Sequence, residues 1–154
     1  MEDKFQQTPI RLAQIPDFEA LAALDQSVWD DEQIPDGKHV WRHWVEMAHC
    51  WVAQSEQTIV GTALLLPTKV PDLLWVHKLF VRRDFQSKGI GKALLGKALA
   101  YSDSQNQRTE LTVSPQNKNA IKLYQTLGYE KKLIPDFYGR GKDRFLMARN
   151  PART

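Results

Sequence analysis

The segment Gln86-Ser87-Lys88-Gly89-Ile90-Gly91 has the residue types of a phosphate cradle. It stands between an apolar strand-like run and an apolar-periodic helix, so it forms a strand-to-helix turn. N–H groups in the first turn of a helix have no intrahelical partner, and the helix dipole favours an anion in front of them. Gly89 and Gly91 lack Cβ atoms and allow a pyrophosphate close to the backbone, while Lys88 and Lys92 add formal charge beside it. Tyr124 is a second group with chemistry to offer. It shares a helix face with Ala120 and Leu127, so its ring points inward and its O–H needs a partner. Asp30, Asp31, Glu32 and Asp36 are flanked by Trp29, Trp41, Trp44 and Trp51. That combination attracts and embraces a cationic amine, or else is a set of core tryptophans beside a solvated loop. His39 and His43 are four apart on a helix, a spacing that suits a metal, but no cysteine or carboxylate completes a site and no metal is expected.

These groups need elements to position them. Residues 10–13 read as a first strand, and Pro16 suits the first position of a helix whose Phe18, Leu21, Leu24 and Val28 recur at helical spacing. An acidic, turn-rich loop over 30–37 leads to a second helix over 40–49. Strands over 50–54 and 58–66 pair around Ser55-Glu56-Gln57, and Pro71-Asp72 precedes a strand over 73–81. A helix over 89–105 and a strand over 109–113 follow, and Asn117 caps a helix that Gly128 ends. Strands over 129–133 and 144–149 complete a mixed sheet. The order is β-α-α-β-β-β-α-β-α-β-β, an α/β (α+β) fold with no repeat or linker, hence one domain over 1–154.

Composition excludes several classes. With 154 residues, 42% hydrophobic and 25% charged, the chain can bury an ordinary core. Cys50 is the one cysteine, so no internal disulfide forms and a reducing, cytoplasmic setting is expected. No apolar run is long enough to span a bilayer. A net charge of +3 with scattered basic residues gives no nucleic-acid module.

A second block fixes the reading of the glycine turn. The stretch LTVSPQNKNAIKLYQTLGY, over 111–129, runs strand, Pro-x-Asn, Ala-x-x-x-Tyr, Leu-Gly-Tyr. Together the two blocks, about a third of the chain, resemble the GCN5-related N-acetyltransferase (GNAT) family. The resemblance implies the GNAT acyl-CoA N-acyltransferase fold and acetyl-CoA as co-substrate. It implies that Gln86, Ser87, Lys88, Gly89, Ile90 and Gly91 cradle the pyrophosphate beside Lys92. The main chain of Leu79, Phe80 and Val81 would bond the pantetheine arm and polarise the thioester. Asn117 would contact the coenzyme, and Tyr124 would protonate the departing thiolate.

The tail, from Asp136 to Met147 (DFYGRGKDRFLM), is similar to that of protein amino-terminal acetyltransferases, the ribosomal-protein alanine enzymes in particular. The similarity implies Tyr138 as a contact of substrate backbone, and the Trp-rich region, Trp29 included, as the lining of the acceptor entrance. One position departs from that group: it has a glutamate base where this chain has Thr112. Glu110 is two residues back on the same strand face, about 7 Å along it. His77 is the other candidate base, and the resemblance leaves the choice open. The acceptor is also open. An α-amine titrates at about 8 and a lysine at about 10.4, so an α-amine better tolerates a weak base. The expected activity is direct acetyl transfer to a primary amine, by a monomer or homodimer. The favoured acceptor is a protein or peptide N-terminus. The alternatives are a small-molecule amine (polyamine, amino acid or aminoglycoside) and a non-catalytic acyl-CoA sensor.

Overall fold

The computed structural model describes residues 8–29 and 35–153. The elements are β1 (Ile10–Leu12), α1 (Phe18–Val28), α2 (Lys38–Met47), β2 (His49–Ser55), β3 (Thr58–Pro67), β4 (Leu73–Val81), α3 (Ile90–Ser104), β5 (Arg108–Val113), α4 (Lys118–Thr126), β6 (Glu130–Ile134) and β7 (Arg144–Arg149). The order matches the sequence expectation. Most boundaries shift by a residue or two, and two of the shifts have a clear cause. Pro16 lies in a short 3-10 turn, Ile15–Asp17, ahead of α1, because the Asp17 amide bonds back to Gln14 and the Asp17 carboxylate accepts from Gln14 N at 2.7 Å. The second helix starts earlier and ends at Met47, since His49 is claimed by β2, where it pairs with Leu65.

The chain divides into two compact units, residues 1–66 with 77–98 and residues 67–76 with 99–154. In the first, β1 pairs antiparallel with β2 and β2 with β3, and the far half of β4 joins next to β3. Its core gathers Leu21 and Leu24 of α1, Trp41 and Val45 of α2, and Val52, Leu64 and Phe80 of the strands. Alternation along β4 sends Lys78 and Phe80 inward and leaves His77 exposed. Gly61 in β3 is required by close approach: a Cβ there would stand 3.1 Å from the Phe80 carbonyl oxygen and 3.0 Å from Leu94 Cδ1.

In the second unit the near half of β4 pairs parallel with β5, and β7 lies antiparallel between β5 and β6. β5 alternates strictly, burying Thr109, Leu111 and Val113 and turning Glu110 and Thr112 the other way. α4 starts at Asn117, whose side-chain oxygen accepts from Ala120 N at 3.2 Å. It stops at Gly128, which adopts φ +96°, a left-handed conformation that glycine takes without strain. Ile121 and Tyr124 form its buried stripe.

Candidate active-site elements

In the first unit the glycine turn has the geometry of an anion nest. Ser87 (φ +63°) and Gly89 (φ +83°) both take left-handed backbone, which winds successive N–H groups to one side at the start of α3. A Cβ at Gly89 would meet nothing within 4 Å, so the space in front of that backbone is open, as a bound pyrophosphate requires. Lys92 is exposed beside it. Gln86 has a defined role in the turn itself: its Nε2 donates to the Val81 carbonyl at 2.9 Å, bracing the turn against the end of β4.

Asp36, Trp29 and Trp41 join a buried charge cluster whose two central residues, Asp25 and Lys78, the sequence alone did not single out. Asp25 on α1 is fully buried and accepts hydrogen bonds from Trp29 Nε1, from Trp41 Nε1 at 2.9 Å and from the Asp36 amide at 3.0 Å. Lys78 of β4 reaches Asp25 at 3.1 Å and Asp36 at 2.8 Å. Its ammonium also sits 5.9 Å from the ring centres of Trp29 and Trp44. Trp29 is therefore partly buried and held by Asp25, with its edge against Phe80. The carboxylates Asp30, Asp31 and Glu32 lie outside the described residues. The sequence signal was present: Asp25 interrupts the apolar stripe of Leu21, Leu24 and Val28, and Lys78 falls on the inward phase of β4. A charge at such a position must find a partner.

His77, the residue before Lys78 on β4, has its ring 5.0 Å from that of Trp44, centre to centre. Its proton affinity is lowered, first by partial removal from water and then by the neighbouring Lys78, which together outweigh the opposing pull of Asp36 and Asp25. A neutral imidazole at neutral pH is able to take a proton. Cys50 offers no nucleophile. Burial pushes its thiol up to about 11, and it is engaged with the Thr62 hydroxyl at 3.3 Å.

In the second unit two tyrosines stand together, with ring centres 5.7 Å apart, and differ in what their hydroxyls do. Tyr129 shares a 2.6 Å hydrogen bond with the Thr109 hydroxyl. Tyr124 is also buried, at 9% exposure against 3% for Tyr129, yet among the described residues its hydroxyl has no hydrogen-bond partner. Burial pushes the Tyr124 phenol up to about 12, so it is a proton donor and not a phenolate at neutral pH. Glu110 lies on the face predicted for it, but its carboxylate is held by Arg108 at 3.4 Å. Asn117 serves as the α4 cap and remains exposed. Tyr138 is 62% exposed on the loop between β6 and β7, with Phe137 packed 4.8 Å from it, ring centre to ring centre, so it does not close the core. Among the described residues no three histidine, cysteine or acidic side chains cluster to hold a metal.

A profile of the acetyltransferase (GNAT) family matches residues 15–129, and the chain belongs to that family. An uncharacterised N-acetyltransferase, MJ1207, of Methanocaldococcus jannaschii is 45% identical over 60 residues, 38% of this chain and 26% of that protein. The chain spans about a quarter to two fifths of the length of the curated relatives it matches. The ribosomal-protein-S18-alanine N-acetyltransferase of Escherichia coli superposes with a TM-score of 0.80 at 20% identity, over 95% of each chain. An aminoglycoside 6'-acetyltransferase type Ii does so with a TM-score of 0.81 at 17% identity, over 95% of this chain and 99% of that one. The architecture is thus the GNAT fold, a mixed α/β arrangement whose family uses acetyl-CoA as co-substrate. No helix among the described residues is long and apolar enough to cross a membrane.

Proposed function

We propose that this protein is an acetyl-CoA-dependent N-acetyltransferase whose acceptor is a primary amine. The observation that carries the reading is Tyr124: its ring is buried, its phenol is held protonated, and among the described residues its hydroxyl has no hydrogen-bond partner, whereas that of its neighbour Tyr129 has one. In this reading the 86–91 turn takes the CoA pyrophosphate on its backbone N–H groups and Lys88 and Lys92. The main chain of Leu79, Phe80 and Val81, with Asn117, holds the remainder of the coenzyme. The neutral amine attacks the thioester carbonyl, the C–S bond breaks, and Tyr124 gives its proton to the leaving thiolate. His77 takes the ammonium proton. It is favoured over Glu110 because Arg108 holds the Glu110 carboxylate.

A protein or peptide N-terminus is the favoured acceptor. The exposed Tyr138 and Phe137 on the β6–β7 loop offer a surface for peptide backbone. A small-molecule amine is the second reading, since an alanine-specific and an aminoglycoside-specific enzyme superpose equally well. A cytoplasmic setting fits a chain whose single cysteine is a buried thiol.

The test is a CoA-release assay across N-terminal peptides, lysine peptides, polyamines and aminoglycosides, with Tyr124→Phe alongside. The expected result is turnover that falls about 100-fold or more in Tyr124→Phe at unchanged acetyl-CoA affinity. Acetyl-CoA binding without turnover on any amine would identify a sensor instead. Turnover confined to non-peptide amines would refute the N-terminus as acceptor.

A further inference from the structure

Arg144 at the start of β7 is the exception among the arginines. Each of the other partly buried ones described (Arg11, Arg42, Arg82, Arg108 and Arg149) has a carboxylate oxygen within 2.6 to 3.4 Å. Arg144 has none. Its Nη2 donates to the Thr112 carbonyl at 3.3 Å, and its Nε, like that of Arg108, is buried without a partner. The guanidinium lies 5.6 Å from the centre of the Tyr138 ring. The two carboxylates of the adjoining loop are committed to loop backbone: Asp143 accepts from the Asp136 amide and Asp136 from the Gly141 amide, at 2.9 and 2.7 Å. The Arg144 charge also reaches the Tyr124 phenol, whose proton it helps to loosen. A fixed, partly desolvated guanidinium with no counter-charge is an incomplete ion pair. Its planar fork matches a carboxylate in two-point contact.

We infer that Arg144, set on Tyr138, is a specificity-determining residue that binds a carboxylate carried by the acceptor close to its reacting amine. Two sources share that chemistry: the α-carboxylate of a free amino acid and an acidic side chain next to a peptide N-terminus. The inference rests on the acetyl-transfer reading for the identity of the acceptor, but binding tests it without turnover.

The experiment compares acceptors matched in all but charge: free amino acids against their amides, and peptides opening Ala-Asp or Ala-Glu against Ala-Asn or Ala-Gln. CoA release gives kcat and KM. Calorimetric titration into the CoA complex gives affinity whether or not transfer occurs. Wild type is expected to prefer the acid over its amide by about tenfold or more, mostly in KM, the size of one charge-assisted contact. Arg144→Gln should bring that ratio towards one, and Arg144→Lys should recover part of it. A free-acid preference assigns the α-carboxylate, and an Ala-Asp preference assigns the side chain. Equal affinity for acid and amide in wild type overturns the inference, as does a ratio unaltered in a folded Arg144→Gln. Absence of turnover with the acid preference intact in titration would fail the transfer reading alone.

Discussion

Replacing Asp25 tests whether the charge cluster holds the first unit together. Asp25→Ala removes the acceptor of the Trp41 indole N–H, which is fully buried and has no route to water. One buried donor left unmade costs about 1–3 kcal/mol. Trp29 and the Asp36 amide also lose their acceptor, but both are partly accessible and rehydrate. Lys78 is not orphaned, because Asp36 remains 2.8 Å away; with Asp36 a third exposed, that pair is weaker than the one lost. Breaking a buried pair outright costs roughly 3–5 kcal/mol, so the surviving partner places the sum at the lower end, about 3–4 kcal/mol. Against a total stability of about 5–15 kcal/mol that is a large fraction. Urea unfolding followed by tryptophan fluorescence measures it, with Trp29 and Trp41 themselves as reporters. Lys78→Met should cost less, since it leaves Asp25 with its three N–H donors, and the Asp25→Ala/Lys78→Met double variant should lose less than the sum by about 1 kcal/mol. A loss below about 1 kcal/mol for Asp25→Ala, or strict additivity in the double variant, would refute the reasoning.

Three further outcomes are expected. Tyr124→Phe should leave stability within about 0.5 kcal/mol of wild type while activity collapses, whereas Tyr129→Phe should cost about 1 kcal/mol for its lost bond to Thr109 and keep its activity; thermal melts paired with the CoA-release assay separate them. Because the folded protein disfavours protonated His77, the unfolded chain binds more protons there, so this residue's share of stability is lost as pH falls below the ordinary histidine value. By the same sign, kcat/KM calculated on the neutral amine should keep a plateau down through neutral pH and fall on the acid side; His77→Gln should remove that limb and lower the plateau about 100-fold, and an unchanged pH profile would exclude His77 as the base. Gly61→Ala should push β3 away from the Phe80 carbonyl, costing about 1–3 kcal/mol and weakening acetyl-CoA binding, measured by denaturation and titration.

Local pattern determined much of this protein. The glycine turn, the Asn117 cap and the Gly128 stop are local chemistry, so their elements and order were legible from the residues alone. The 73–81 strand was legible for the same reason, with turn residues on both sides. The boundaries that moved did so for non-local reasons: His49 was drawn from helix into β2 by its pairing with Leu65, and Pro16 was held in a 3-10 turn by the Asp17 carboxylate. Tyr124 was identifiable from its motif and helix face, but the sequence could not say that its hydroxyl lacks a partner while that of Tyr129 has one. That depended on Thr109, distant in sequence and brought to Tyr129 by the fold. The same applies to charge. Asp25, Asp36 and Lys78 are separated by up to 53 residues and meet only through packing, and Arg144 is distinguished only by the carboxylates that the fold gives to every comparable arginine. Residue types and spacing settled the family and the donor, because backbone turns and caps are encoded by neighbours along the chain. The unshared hydroxyl of Tyr124, the lowered proton affinity of His77 and the guanidinium of Arg144 were decided by tertiary structure, because a side chain's charge and hydrogen bonds depend on what the fold brings against it.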